Sequence, residues 1–265
     1  MSSEPAIFVG TSGYSFADWV GPFYPPGTRS GDYLRHYAGH FGTVEVNSTY
    51  YRIPSPRVLA QMESKTPEGF RFIVKLNQAM THKSGATAEL YHEFLAAVQP
   101  LKDAGKYHGM LAQFPWAFQR TEANKQHLEL LRERLQGEPL WVEFRHASWM
   151  HPKLPDWLRA RQLGYCAVDE PALPGLLPPV THLTNDIGYV RFHGRNEQTW
   201  WGRGAGDRYD YDYSQPELSE WVQRIQILAQ QAKQTYLFFN NCHAGQAARN
   251  AKLMEELLRR QSTAS

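Results

Sequence analysis

Four short β-rich runs carry ionisable side chains, all on one parity of their strand. In "TVEVN" Glu45 and Asn47 oppose Val44 and Val46, and in "RFIVK" Lys75 opposes Phe72 and Val74. In "LWVEFR" Glu143 and Arg145 oppose Val142 and Phe144, and in "YVRFH" Arg191 and His193 oppose Val190 and Phe192. Side chains alternate faces along a strand, so each run has an apolar face and a charged one. Lys75, Arg145 and Arg191 together would bind an anion, the guanidinium groups in bidentate fashion and the ammonium as a point charge. Glu45 or Glu143 would then act as general base, and His193 as acid or base near neutral pH. Asn47, Gln113 and Asn240 lie at strand ends and would orient the substrate.

Other chemistries compete for these residues. Glu45, Glu143, Asp169 and His193 form a carboxylate-plus-histidine set that admits a divalent metal, although no cofactor is required by the sequence. The three cations in the same set oppose a metal, and there is no sequence-local ligand motif. Buried charges left unpaired are costly, so a Glu–Arg lattice that only fills space is the structural alternative. Aromatic residues crowd two loops: Tyr14, Phe16, Trp19, Phe23 and Tyr24 in one, Trp200, Trp201, Tyr209, Tyr211 and Tyr213 in the other. Of these, Tyr14, Trp19 and Trp200 are expected to contact the ligand, since aromatic faces stack on bases and sugars. A lid packed on itself is the alternative. Asp207, Asp210 and Asp212 disfavour a phosphate backbone there, which ranks nucleic acid below a compact ligand. Cys242 and His243 are adjacent in sequence, which does not make them a catalytic pair.

These residues need elements to hold them. Strands are expected at Ala6–Gly10, Thr43–Asn47, Arg71–Leu76, Gly109–Phe114, Leu140–Arg145, Gly164–Asp169, Gly188–His193 and Thr235–Asn240. Helical periodicity follows most of them, most clearly in the stripe Ala247, Ala248, Ala251, Met254, Leu257 and Leu258. Eight strands alternating with helices predict a (β/α)₈ barrel occupying residues 1–265 as a single domain. Pro171, Pro174, Pro178 and Pro179 predict a sixth helix that is short or irregular. Most of the charged set falls near strand C-termini, the mouth where active sites of such barrels are built.

The 265-residue length suits one such barrel, and the net charge of +2 carries no polybasic run that would draw the chain to nucleic acid. The two cysteines are far apart and read as small apolar fillers of a reduced, cytoplasmic protein. No signal peptide and no membrane-length apolar run are apparent. Gly202–Asp207 reads as a hinge.

The motifs themselves are similar to a known family. "GTSGYSFADWVGPFYPPG", "EVNSTYYRIPS", "FIVKLNQAMTH", "LAQFPWAF", "VEFRHASW", "YVRFHGR" and "FFNNCHAGQAARNA" resemble, in this order, the YecE-like family of unknown function. The resemblance runs from about Ile7 to Leu258 and implies an α/β barrel, but no reaction. It marks Ser12, Tyr14, Trp19, Tyr51, His146, Trp149, Asp169 and Asn241 beside the charged set, while Tyr50 stands where phenylalanine is common. The expectation is an enzyme acting on a small anionic, phosphorylated or sugar-like substrate by general acid/base chemistry. The alternatives are a metal-dependent phosphodiesterase, endonuclease or sugar-isomerase-like barrel, and a non-catalytic nucleic-acid or carbohydrate binding module. The oligomeric state is not legible.

Overall fold

A computed structural model describes residues 6–83, 85–202 and 207–262. Residues 203–206 of the expected hinge lie outside the described residues. Eight parallel strands form one sheet in the order β1-β8-β7-β6-β5-β4-β3-β2. They are β1 (Ala6–Thr11), β2 (Thr43–Val46), β3 (Arg71–Lys75), β4 (Tyr107–Gln113), β5 (Leu140–Glu143), β6 (Gly164–Asp169), β7 (Ile187–Phe192) and β8 (Gln234–Phe239). Between them run α1 (Tyr33–Ala38), α2 (Ser48–Tyr51), α3 (Pro56–Glu63), α4 (Gln78–Thr81), α5 (Ala88–Asp103), α6 (Glu122–Arg134), α7 (Leu154–Arg159), α8 (Gln215–Gln231) and α9 (Gln246–Ser262). Three of the longer helices, α5, α6 and α8, start at side-chain caps. Thr121 Oγ1 accepts from the Asn124 N–H at 3.2 Å, and Ser214 with Glu217 closes a capping box.

The sheet closes on itself at the β1–β2 seam without a regular ladder. Ser12 and Glu45 form an isolated bridge there. Below it the Tyr37 hydroxyl, sent in from α1, accepts from the Thr11 N–H at 2.9 Å and donates to the Thr43 carbonyl at 3.0 Å. One phenol thus satisfies backbone groups of both edge strands, which a buried seam requires.

Trp141 fills the lower lumen. Its ring sits where a Cβ on Gly109 of β4 would come within 2.4 Å, and a Cβ on Gly164 of β6 within 2.2 Å. Both neighbouring strands therefore have glycine beside this indole. Tyr189 and Tyr236 pack around it with ring centroids 5.1 and 6.3 Å away. No helix forms between β6 and β7: the proline-rich chain runs as turns, anchored where the Ala147 N–H donates to the Gly175 carbonyl at 2.9 Å.

Candidate functional site: a charged plug beneath an open cavity

Above the aromatic floor, the charged faces of β2, β5 and β7 meet. Arg191 lies at the centre, donating from Nη1 to Glu143 Oε2 at 2.6 Å and from Nη2 to Glu45 Oε1 at 2.7 Å. The second oxygen of Glu45 accepts from the Tyr189 hydroxyl at 2.6 Å. Glu143 Oε1 accepts from Arg145 Nε at 2.5 Å, and Arg145 Nη1 reaches Glu170 Oε2 at 3.3 Å. Both Glu45 and Glu143 are completely buried. Burial by itself would push the Glu143 carboxyl up, but Arg145 and Arg191 overcome it and hold the group well below the usual carboxylate range. Burial likewise drives His193 down to about 3, helped by Arg145. Its Nδ1 faces the donors Asn240 Nδ2 at 3.1 Å and Arg145 Nη2 at 3.4 Å, so Nδ1 is the acceptor and the proton sits on Nε2. That Nε2 lies 3.3 Å from Glu143 Oε1 but off hydrogen-bond alignment. His193 is a neutral imidazole wedged into an ion-pair lattice.

An open cavity of about 290 Å³ lies over this plug at the C-terminal mouth. Its polar wall is cationic: Lys75, Arg145 and Arg208, with His82 and Gln113, and no carboxylate among the described lining residues. Its apolar wall is aromatic, from Tyr50, Tyr51, Trp116, Trp200, Trp201 and Tyr209. Lys75 closes β3, and its Nζ donates to Gln113 Oε1 at 2.9 Å and lies 4.4 Å from the centroid of the Tyr50 ring. Gln113 is itself oriented, because its Nε2 donates to the Phe114 carbonyl at 2.6 Å. Lys75 takes part in no ion pair among the described residues. Burial, reinforced by Arg191 and Arg145 and opposed by Glu143 and Glu45, brings its ammonium down to about 7. Arg208 Nε is buried and has no hydrogen-bond partner among the described residues. The Arg208 guanidinium lies 5.7 Å from the Trp200 ring centroid.

The expected site residues therefore separate into three groups. Lys75, Gln113, Arg145 and Trp200 line the cavity. Glu45, Glu143, Arg191 and His193 lie in the plug and are not among the residues lining the cavity, with Asn240 bonded to His193 beside them. Tyr14, Trp19 and Asn47 also lie away from the cavity wall. Trp19 is fully buried, its Nε1 donating to the Cys242 carbonyl at 2.6 Å, and with Phe16, Phe23 and Tyr24 it forms the packed interior of the first loop. Asn47 Nδ2 donates to the Ser12 carbonyl at 3.2 Å, which ties β2 to β1. Asp169 is consumed by Tyr213, Trp221 and Arg195 at 2.6 to 2.9 Å, so the four-residue metal set is not convergent. Among the described residues no group of three His, Cys, Asp or Glu is arranged to hold a metal ion. Sequence reasoning passed over Tyr50, His82, Trp116 and Arg208 as ligand contacts. Tyr50, His82 and Trp116 follow β2, β3 and β4 within a few residues, so the mouth rule applied to aromatics as well as charges finds them.

The molecule is a (β/α)₈ barrel whose mouth cavity is cationic and aromatic, above a buried ion-pair plug. This chain belongs to the family described as "Protein of unknown function DUF72", which matches residues 8–265. UPF0759 protein YunF of Bacillus subtilis is 34% identical over 269 residues, covering 95% of this chain and 94% of that protein. UPF0759 protein YecE of Escherichia coli K12 is 33% identical over 97 residues, covering 36% of this chain and 33% of that protein. A DUF72 family protein from Thermotoga maritima of known structure is 40% identical with a TM-score of 0.89, over 96% of this chain and 99% of that one. A second, from Enterococcus faecalis, is 28% identical with a TM-score of 0.86, over 96% of this chain and 95% of that one.

Proposed function

We propose that the protein is an enzyme acting on a small anionic substrate with a planar or ring-shaped body, bound in the mouth cavity. One observation carries this reading: among the described residues, a cavity lined by three cations and six aromatic residues has no carboxylate in its wall. A desolvated cationic wall favours phosphate or carboxylate, and the aromatic wall takes the apolar face of a ring. Arg208, whose Nε has no partner among the described residues, and Arg145 hold the anion. Lys75 touches the substrate and moves protons, since an amine brought near neutrality serves as base when free and as acid when charged. Glu45, Glu143 and His193, first considered for proton transfer, become positioning groups. They fix Arg145 and Arg191 and keep positive charge close to Lys75.

Titration calorimetry with phenyl phosphate and with uncharged benzyl alcohol tests this. Phenyl phosphate is expected to bind at least about tenfold more tightly, with most of that preference lost in Arg208→Gln. Equal affinity for the two compounds would overturn the reading. The exposed indoles of Trp116 and Trp201, whose ring centroids are 5.5 Å apart, favour one second reading. This is a platform that stacks a base or sugar at the end of a polymer without chemistry. Saturable, salt-sensitive oligonucleotide binding with no turnover would select it.

A further inference from the structure

The lysines of this chain differ in their surroundings. Lys102, Lys106, Lys125, Lys233 and Lys252 each sit in an ion pair with a carboxylate, and Lys65, Lys83 and Lys153 do not line the mouth cavity. Lys75 instead ends a barrel strand inside a cavity, held by a neutral amide oxygen and an aromatic face. A proton donated to Gln113 leaves the rest of a neutral amine, including its lone pair, free for a bound molecule. Arg145 shares the cavity wall with it, and Arg191 is close enough to disfavour its charge. Both cations disfavour a further positive charge, and Arg145, on the cavity wall, would also hold an anionic substrate beside the nitrogen. This is the environment that activates amine nucleophiles: desolvation and cationic neighbours that outweigh the more distant Glu143 and Glu45, with no carboxylate in direct contact with the amine among the described residues.

We infer that Lys75 is a covalent catalyst, its Nζ condensing with an aldehyde or ketone carbonyl of the anionic substrate to form an imine. The inference rests on the anion-site reading and deepens it by naming the substrate as a carbonyl compound. The lone pair of neutral Nζ forms the C–N bond while the carbonyl π pair moves to oxygen. Proton transfer from nitrogen to that oxygen gives the carbinolamine. The hydroxyl takes up one further proton and leaves as water as the nitrogen lone pair closes the C=N⁺ bond. Amine, carbonyl and one proton thus give iminium and water, with no change of oxidation state. The iminium then draws electrons from the adjacent carbon, which assists proton removal or C–C cleavage there.

Pyridoxal 5′-phosphate, a planar phosphorylated aldehyde, is a suitable probe. The full chain is incubated with it near neutral pH, reduced with cyanoborohydride, and mapped by peptide mass spectrometry. Lys75 is expected to be labelled roughly tenfold faster than any other lysine, because far more of it is unprotonated. That label is expected to disappear in Lys75→Arg, with labelling elsewhere unchanged. Pyridoxine 5′-phosphate, which keeps ring and phosphate but has no carbonyl, is titrated in parallel. If it binds while Lys75 is labelled no faster than surface lysines, the imine is overturned and the anion site stands. If it does not bind and Lys75 is not labelled, both readings fall.

Discussion

At the scale of single residues, the plug and the cavity respond to substitution in opposite ways. Glu143 neutralises Arg145 and Arg191 in a fully buried position, so Glu143→Gln leaves two guanidinium groups under-compensated. Breaking a buried pair in this way destabilises by about 3–5 kcal/mol, which urea denaturation measures. His193 is held at about 3 in the folded chain, below the ordinary imidazole value of 6.5. A depressed value means the unfolded chain binds the proton first. The contribution is therefore complete above about pH 6.5 and is lost as pH falls toward 3. Stability is expected to drop by roughly 3 kcal/mol between pH 7 and pH 4 from this residue alone. In His193→Gln that part of the slope should vanish from melting temperatures taken across the range. Lys75 is also depressed, to about 7, by burial with Arg191 and Arg145 against Glu143 and Glu45, while His82 and Tyr50 face it from neighbouring elements. At neutral pH it therefore strains the fold. Lys75→Met is expected to raise stability by about 1–2 kcal/mol while abolishing activity, the trade-off expected of a functional group.

At the scale of elements, the strands and the missing sixth helix were legible because they depend on local signals. Period-two alternation marked the faces of β2, β3, β5 and β7, and four prolines ruled out a regular helix after β6. The charged side chains were legible as a cluster for the same reason. Their division into plug and cavity was not, because strand parity says which side chains face the lumen but not at what depth. Pairing partners nearly 150 residues apart, such as Glu45 with Arg191, decide that depth. The short helices α2 and α4, which carry Tyr50 and Tyr51 and lead into His82, have too few residues for periodicity to register. Two substitutions test the scaffold. Gly109 has φ of +134°, and any Cβ there meets the Trp141 ring, so Gly109→Ala is expected to prevent stable folding, read as loss of a cooperative thermal transition. Trp19→Ala empties the interior of the first loop and should destabilise by about 3–5 kcal/mol. Its affinity for phenyl phosphate should be unchanged in the folded protein, which separates a packing role from ligand contact.

At the scale of the whole molecule, net charge conceals the site. A chain of net charge +2 concentrates three of its cations around one cavity and distributes its carboxylates among the plug and the outer surface. Attraction of an anion is therefore a short-range property of the mouth, and binding should weaken only modestly with added salt. Among the described residues no helix is long and apolar enough to cross a membrane. The barrel serves as a mount: an aromatic floor, an ion-paired plug that includes Arg145, and above it Lys75 and Arg208, which have no ion pair among the described residues. The most direct test is a crystal structure of the protein grown with phenyl phosphate. The phosphate is expected against Arg208 Nε and Arg145, with its ring among the cavity aromatics and near Lys75. Phosphate bound elsewhere, with the mouth cavity holding solvent alone, would contradict it.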